Sequence, residues 1–425
     1  MTYVVKEQLA LFQNKELRLN EKLLENLPKI EPKFYDTAGL IPSYLLEIDY
    51  TIPELAYLTH NFYRYYGKYP SVLGGFLIDE FAGQGPVFDN YLGSGTTLVE
   101  AKIRGISSTG IDINPIAVLA SNVKTRNYFN IDKLRNYLEN VLYGAKKIER
   151  INQGIVPNWK YLTKWFSDEN IQKLARIKQA MLANPRDEYR EFATICFLSI
   201  IRRCSNAYDG EVRPHVNPKK NPRDPFQAFK DKYIDMLERE EVFTNATNPE
   251  IVAEAYCTSN TETDLKQYMP FGNPTLVISH PPYLNCFNYY AVFNLENYWS
   301  QNIDEATQGR SQEWIRKNEH ICWPATKSSV IDDYFLNLQQ AYTVLRNNID
   351  KGAILAIVIG DSTLRKQLIP VHKRLLEILP KCGFEPFRIY YRTTHYGIGK
   401  YAYRKRADYH GDAVKKDGVI VVEAI

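Results

Sequence analysis

The stretch from Pro86 to Lys124 limits what this chain can fold into more than any other feature. Pro86-Val87-Phe88-Asp89-Asn90-Tyr91 reads as a short strand running into Gly93-Ser94-Gly95. A helical segment follows from Thr96 to Arg104 and stops at Gly105. Ser108-Thr109-Gly110-Ile111-Asp112 reads as a second strand, and Pro115 opens a second helix over Ile116 to Lys124. Strand, glycine turn, helix, strand and helix in this order begin a doubly wound α/β sheet.

A glycine turn between a strand and a helix lets the backbone approach a nucleotide, and a carboxylate after the next strand can accept from ribose hydroxyls. Asp89, Gly93, Ser94 and Gly95 form such a turn here, and Asp112 stands where the ribose-binding acid belongs. A P-loop would need lysine after the last glycine, and this chain has Thr96. A dinucleotide fingerprint would want a small residue at the position of Leu98. Both alternatives lose ground, whereas a ligand-free turn would leave Asp112 without a purpose.

Strand signals lapse over residues 128–249, where helical periodicity takes over, for example from Ile131 to Ile151 and from Glu188 to Arg203. They return at Ile251 to Cys257 and Thr275 to Ile278, then at Ala353 to Ile359, Pro386 to Thr393 and Val419 to Glu423. Residues 1–50 mix Leu with Lys and Glu at helical spacing before a proline-punctuated stretch, and read as a helical arm. The expected organisation is therefore an arm (1–50), one α/β domain (51–127 and 250–425) and a helical insert (128–249).

Composition narrows the class further. The 425 residues are 44% hydrophobic and 24% charged, as in ordinary globular proteins. The net charge of +4 is too small to argue a polyanionic partner by itself. Six scattered cysteines, without a CxxC pair, point away from disulfides and zinc and toward a reducing compartment. The N-terminus lacks the apolar core of a signal peptide, and no apolar run is long enough to span a bilayer, so a cytoplasmic protein is expected.

The strand Thr275 to Ile278 runs straight into Ser279-His280-Pro281-Pro282-Tyr283-Leu284-Asn285. Consecutive prolines forbid ladder hydrogen bonds and fix the backbone, leaving the Pro281 carbonyl free to face a cleft. Tyr283 offers a face for a planar ring; Phe287, Tyr289 and Tyr290 are equally well read as pocket or core.

Together these segments resemble the amino-methylating DNA methyltransferases, which make N4-methylcytosine or N6-methyladenine. Asp89-Asn90-Tyr91-Leu92-Gly93-Ser94-Gly95-Thr96-Thr97 is similar to their Asp-Pro-Phe-x-Gly-Ser-Gly-Thr-Thr motif, with Asn90 and Tyr91 in place of Pro and Phe. Gly110 to Ala117 resembles their acidic second motif, and His60 with Gly67-Lys68-Tyr69-Pro70 their segment over the methionine end of the cofactor. His280 stands where the family has Ser, Asp or Asn, and a neutral imidazole can still accept one hydrogen bond.

The resemblance implies a Rossmann-like methyltransferase sheet with a terminal antiparallel hairpin, and S-adenosyl-L-methionine as cofactor. Cofactor contacts would come from Lys68, Asp89, Tyr91, Gly93, Ser94, Gly95, Thr96, Thr97, Asp112 and Ile113. Catalysis would fall to His280, Pro281, Pro282 and Tyr283. The target base would be flipped out of double-stranded DNA, with Tyr283 as stacking partner. The context favours cytosine N4 over adenine N6, in the modification enzyme of a restriction system whose endonuclease acts separately. An RNA methyltransferase, a protein-glutamine methyltransferase and a non-catalytic DNA-binding homologue are the remaining alternatives.

Two basic clusters suit phosphate contacts. Arg202, Arg203, Arg213, Lys219, Lys220 and Arg223 lie in one proline-rich loop of the insert, the expected target-recognition region. Arg392, Lys400 and Arg404 lie with tyrosines between the last two strands.

Overall fold

The computed structural model describes residues 19–36, 41–286, 288–324, 328–364, 367–392 and 417–425. Its strands are β1 (Pro32–Asp36), β2 (Ser43–Leu46), β3 (Val87–Asp89), β4 (Ser108–Asp112), β5 (Ala253–Cys257), β6 (Leu276–Ser279), β7 (Ile354–Gly360), β8 (Ser362–Leu364), β9 (Gln367–Ile369), β10 (Phe384–Arg392) and β11 (Asp417–Ala424). One nine-stranded sheet runs β1-β2-β10-β11-β7-β6-β3-β4-β5, and β8 pairs with β9 apart from it. Strands β5, β4, β3, β6 and β7 are parallel. β11 lies antiparallel between β7 and β10. This is the expected doubly wound sheet with a terminal antiparallel hairpin.

Burial on both faces explains the strand sequences. Parallel strands covered by helices read as nearly continuous apolar runs, and Leu276-Val277-Ile278 is sealed from solvent throughout. Alternate residues serve opposite faces. Phe88, Val277, Leu355, Ile357 and Ile420 join one core, together with α9 (Ser328–Asn348) and α10 (Val371–Ile378). Val87, Leu276, Ile278, Ala356 and Val358 join the other, with α2 (Ser71–Phe81). Each such Val, Leu, Ile or Phe side chain removed from water contributes about 1.5–3 kcal/mol.

Strand order reverses between β3 and β6, so their carboxyl ends border the crevice where open α/β sheets bind ligands. Helix α3 (Thr96–Ile103) leaves the glycine turn after β3, and α4 (Pro115–Thr125) follows β4. Asn114 caps α4 by accepting from the Ile116 N–H at 3.1 Å, with Pro115 at the first helical position.

Two expectations need correction. The first fifty residues are not simply a helical arm. Only α1 (Leu19–Asn26) is helical among those described, and β1 and β2 extend the sheet beyond β10. Prolines at 32 and 42 remove helix donors, but Pro32 opens the edge strand β1 and Pro42 immediately precedes β2, places where proline is tolerated, while Leu46 and Ile48 fill the core beneath α2.

The helices α5 (Ile131–Lys147), α6 (Asp168–Leu182), α7 (Glu188–Ile200) and α8 (Pro225–Ala246) do fall between β4 and β5 in the chain, but they share one core with Val292, Leu295, Trp299 and Ile303. The buried pair Arg190–Glu305, 2.7 Å apart, ties α7 to that later segment. Packing therefore crosses the boundary drawn at residue 249.

No described helix is long and apolar enough to cross a membrane.

Candidate active site

A cavity of about 390 Å³ opens at the switch point. Glycine geometry builds one wall. Gly93 and Gly95 hold φ of +51° and +72°, which favour glycine, and a Cβ on Gly95 would lie 2.4 Å from Ser121 Oγ. The Gly93 N–H donates to the Asp112 carboxylate at 2.7 Å, and the Asn114 N–H donates to its other oxygen at 2.8 Å. Asp112 thus clamps the bend to the end of β4. The Ile113 N–H adds a third bond, and the carboxylate keeps acceptor capacity for a ligand hydroxyl. Burial raises its carboxyl to about 6 against the pull of these N–H groups.

Asp89 has a different task. It is fully buried, accepts from the Thr97 hydroxyl and from the Tyr91 N–H (2.9 Å), and burial raises it to about 7. Since Thr97 donates to Asp89, Tyr69 must donate to Thr97, and the Tyr69 ring meets the His280 ring edge-on at 5.4 Å. A chain of contacts therefore joins the glycine bend to the diproline corner.

The corner follows β6, whose Ile278 is in register with Asp89 of β3. The two motifs lie at neighbouring strand ends and face the same cavity. His280 is half-buried and packs against the edges of Tyr69 and Tyr283. Burial, helped by the charge on Arg392, lowers it to about 3, so the ring is neutral at physiological pH and offers one acceptor nitrogen. The Pro282 carbonyl accepts from the Tyr334 hydroxyl at 3.0 Å, which fixes the corner from the far side.

Of the expected cofactor residues, Lys68, Tyr91, Gly93, Ser94, Thr96, Asp112 and Ile113 line the cavity, while Asp89, Gly95 and Thr97 sit behind it as supports. Of the corner, His280 and Pro282 line it and Pro281 is buried. Tyr283 does not line it. Its hydroxyl donates to Asp417 at 3.1 Å and accepts from Arg392 at 3.1 Å. Its ring lies over Gly360, where a Cβ would come within 2.8 Å. Phe287 lies outside the described residues.

The basic clusters divide. Arg202 is buried and donates to the Tyr66 hydroxyl and to the carbonyls of Glu211, Val212 and Val292. Lys220 donates to the Arg202 and Ala207 carbonyls and pairs with Asp209 at 2.8 Å. Arg392 forms a two-pronged pair with Asp417. These three cations hold the protein together rather than face solvent. Arg203, Lys219 and Arg223 are exposed, and Arg213 lies 4.6 Å over the Trp323 ring. Lys400 and Arg404 lie outside the described residues.

Sequence reasoning missed several groups. Lys124, 1% exposed, donates to the Ser94 carbonyl at 2.7 Å; burial pushes its ammonium well below the usual lysine range. A lysine as the one charged residue of α4 was the available signal. His320 roofs the cavity opposite Tyr91. Its Nε2 meets the Tyr334 carbonyl at 3.2 Å and must donate, so Nδ1 accepts from the Tyr91 hydroxyl at 3.3 Å. Burial keeps this ring neutral, at about 4. Nothing in the sequence marks the segment 315–321 that carries it. Among the described residues, no group of His, Cys, Asp and Glu is placed to hold a metal.

No protein-family model matches the chain. It is 25% identical over 215 residues to the type II methyltransferase M.MvaI of Kocuria varians, a match covering 46% of each chain. It is 37% identical over 92 residues to the type II methyltransferase M.MjaII of Methanocaldococcus jannaschii, covering 21% of this chain and 17% of that one. The match to the type II methyltransferase M.BsoBI of Geobacillus stearothermophilus is 24% identical over 434 residues and covers 80% and 82%. The chain thus spans less than half the length of the first two and most of the third. These are distant similarities to type II methyltransferases. Among solved structures, the rRNA methyltransferase aviRa from Streptomyces viridochromogenes aligns with 84% of this chain and 86% of its own at 10% identity. Its TM-score is 0.30, too low to bear on fold or function.

Proposed function

We propose that this chain is a DNA methyltransferase that transfers a methyl group from S-adenosylmethionine to the exocyclic amino nitrogen of a flipped base, in the cytoplasm, as the modification enzyme of a type II restriction system. One observation carries the reading: the glycine bend clamped by Asp112 and the diproline corner bearing a neutral His280 face one cavity from neighbouring parallel strands. The distant similarity to type II methyltransferases agrees with it.

The cavity suits the donor. Asp112 keeps acceptor capacity for ribose hydroxyls, Tyr91 offers an aromatic wall, and Lys68 at the mouth is a counter-charge for a carboxylate. When bound, S-adenosylmethionine supplies a methyl group on a positively charged sulfur that departs as a neutral thioether.

The chain's own residues then act on the target. An arylamine lone pair is delocalised into its ring and is a poor nucleophile. His280 accepts one amino hydrogen, the Pro281 carbonyl accepts the other, and the lone pair turns toward the methyl carbon. As the nitrogen–carbon bond forms, the amine passes its proton along the hydrogen bond to the His280 nitrogen, which releases it to solvent. Positioning and fixed dipoles supply the acceleration. The Tyr283 ring borders the corner, but the burial of its hydroxyl suits it to holding His280 more than to stacking on a base. Residues 128–249 carry the target contacts, with Arg203, Arg213, Lys219 and Arg223 as the cations placed for phosphates. The Pro-Pro-Tyr-Leu-Asn context favours cytosine N4 over adenine N6.

DNA from cells expressing the protein should carry a modified amino group at one short motif. Nucleoside mass spectrometry would read N4-methylcytosine, N6-methyladenine or neither; unmodified DNA from cells that contain folded protein would defeat the proposal. Asp112→Ala is expected to weaken S-adenosylhomocysteine binding about 10²–10⁴-fold, because it removes the ribose acceptor and frees the glycine bend, two effects of about 1.5–3 kcal/mol each. Titration calorimetry checks this, and unchanged affinity would exclude Asp112 from the donor site.

A further inference from the structure

Asn90 lies in the cavity wall, 2% exposed, with neither the oxygen nor the nitrogen of its side-chain amide engaged. Buried amides are paired in folded proteins, so an unpaired one lining a cavity marks a position that a ligand completes. Its neighbours are already committed. Asp89 holds Thr97 and the Tyr91 N–H, and the Tyr91 hydroxyl meets His320.

Position says which ligand. Asp89 is in register with Ile278, so Asn90 leaves β3 at the level where β6 gives way to Ser279 and His280. The Asp112 carboxylate, the ribose end of the site, is reached one turn later by Gly93. Asn90 therefore stands beside the corner that faces the methyl acceptor.

We propose that Asn90 positions the target by its amino-azine edge: Oδ1 accepts an exocyclic N–H, and Nδ2 donates to the adjacent ring nitrogen. Cytosine (N4 and N3) and adenine (N6 and N1) both present this edge, and a planar amide matches such a donor–acceptor pair in two-pronged fashion. The inference rests on the reading of the cavity as an amino-methylating site. It also joins two of the chain's departures from the resembling motifs. Neutral His280, in place of Ser, Asp or Asn, accepts one amino hydrogen, and Asn90, in place of proline, shares the other with the Pro281 carbonyl and supplies the donor for the ring nitrogen.

The test uses the full-length protein, Asn90→Ala and the isosteric Asn90→Asp, whose carboxylate cannot donate to a ring nitrogen. Two quantities are compared: S-adenosylhomocysteine affinity by calorimetry, and the single-turnover methylation rate on DNA from cells lacking the protein. Both variants should bind S-adenosylhomocysteine within about threefold of the parent and methylate at least 30-fold more slowly. A rate within threefold of the parent in Asn90→Asp would overturn the proposal. So would an affinity that falls in step with the rate, since Asn90 would then belong to the donor. A parent protein that binds S-adenosylhomocysteine but methylates no DNA would defeat the reading of the site, and this assignment with it.

Discussion

Replacing His280 with alanine is expected to slow methyl transfer about 10²–10³-fold while leaving S-adenosylhomocysteine affinity within a few-fold, the loss typical when one preorganised hydrogen-bonding group is taken from a reacting centre. On the proposed reading, donor binding falls to Asp112 and the glycine bend, and His280 stands at the corner instead. Its contribution is one acceptor nitrogen at the corner. That nitrogen is available because burial and Arg392 hold the ring neutral down to about pH 3. The sign follows directly: a histidine lowered this far stays unprotonated through the physiological range. His280 should therefore contribute no inflection near pH 6.5, the ordinary histidine value, and any inflection from Asp112 or Asp89, raised to about 6 and about 7, should persist in His280→Ala. His280→Ser, which restores a hydroxyl acceptor, should recover part of the loss. Single-turnover rates from pH 5 to 9 check all three points. An inflection near 6.5 that vanishes in His280→Ala would mean the ring titrates and the acceptor assignment is wrong.

Glu100→Gln should destabilise the protein by about 3–5 kcal/mol, the range for removing one partner of a buried ion pair. Glu100 is fully buried on α3 and pairs with Arg104 at 2.6 Å and with His60 Nε2 at 2.7 Å, while accepting from the Tyr57 hydroxyl. Burial alone would raise its carboxyl, but Arg104, His60 and Tyr57 outweigh burial and hold it below the usual value. Burial also lowers His60, so the ring is neutral and its Nε2–H donates to the carboxylate. The substitution leaves Arg104 half-compensated by the exposed Asp79 and strips His60 and Tyr57 of an anionic acceptor. A carboxyl held low in the folded state stabilises it above the unfolded value, about 4.3. That contribution is lost as pH falls below it. Urea midpoints at pH 7 and pH 4 check both size and direction; a loss under 1 kcal/mol at pH 7 would show that the network is not a structural clamp. Functional consequences follow from position, because residues 57–69 carry Lys68 and Tyr69 to the cavity, and loosening them should weaken donor binding in the folded fraction.

These two expectations differ in how far the sequence anticipates them. His280 is conspicuous because two prolines follow it at the end of an apolar strand in a chain that also carries the glycine turn at 93–95. The same holds for Gly93, Gly95 and Asp112, whose spacing announces a ligand turn and whose conformation the structure bears out in positive φ and in the Gly93–Asp112 hydrogen bond. Glu100 is not conspicuous. It is one acid in a helical run, and its partners His60 and Arg104 lie 40 residues upstream and one turn ahead. The cation clusters show the same limit. Arg202, Lys220 and Arg392 looked like their neighbours Arg203 and Lys219 in the sequence, yet the first three are folded inward onto carbonyls and carboxylates. Charge density along a chain says how many cations there are, not which ones reach solvent. The strands β1 and β2, at one margin of the sheet, escaped notice because they are short and prolines mask them.

Backbone chemistry was readable from the chain alone: where glycine must turn, where proline must stop a ladder, where apolar periods switch between strand and helix. Those are properties of residues and their near neighbours. Which groups end up dry, neutral or unpaired belongs to the tertiary structure. Desolvation and charge pairing arise from atoms brought together across long stretches of chain, as when Arg392, 109 residues after Tyr283, joins its hydroxyl behind the corner. The neutrality of His280 and the unengaged amide of Asn90 are outcomes of that assembly.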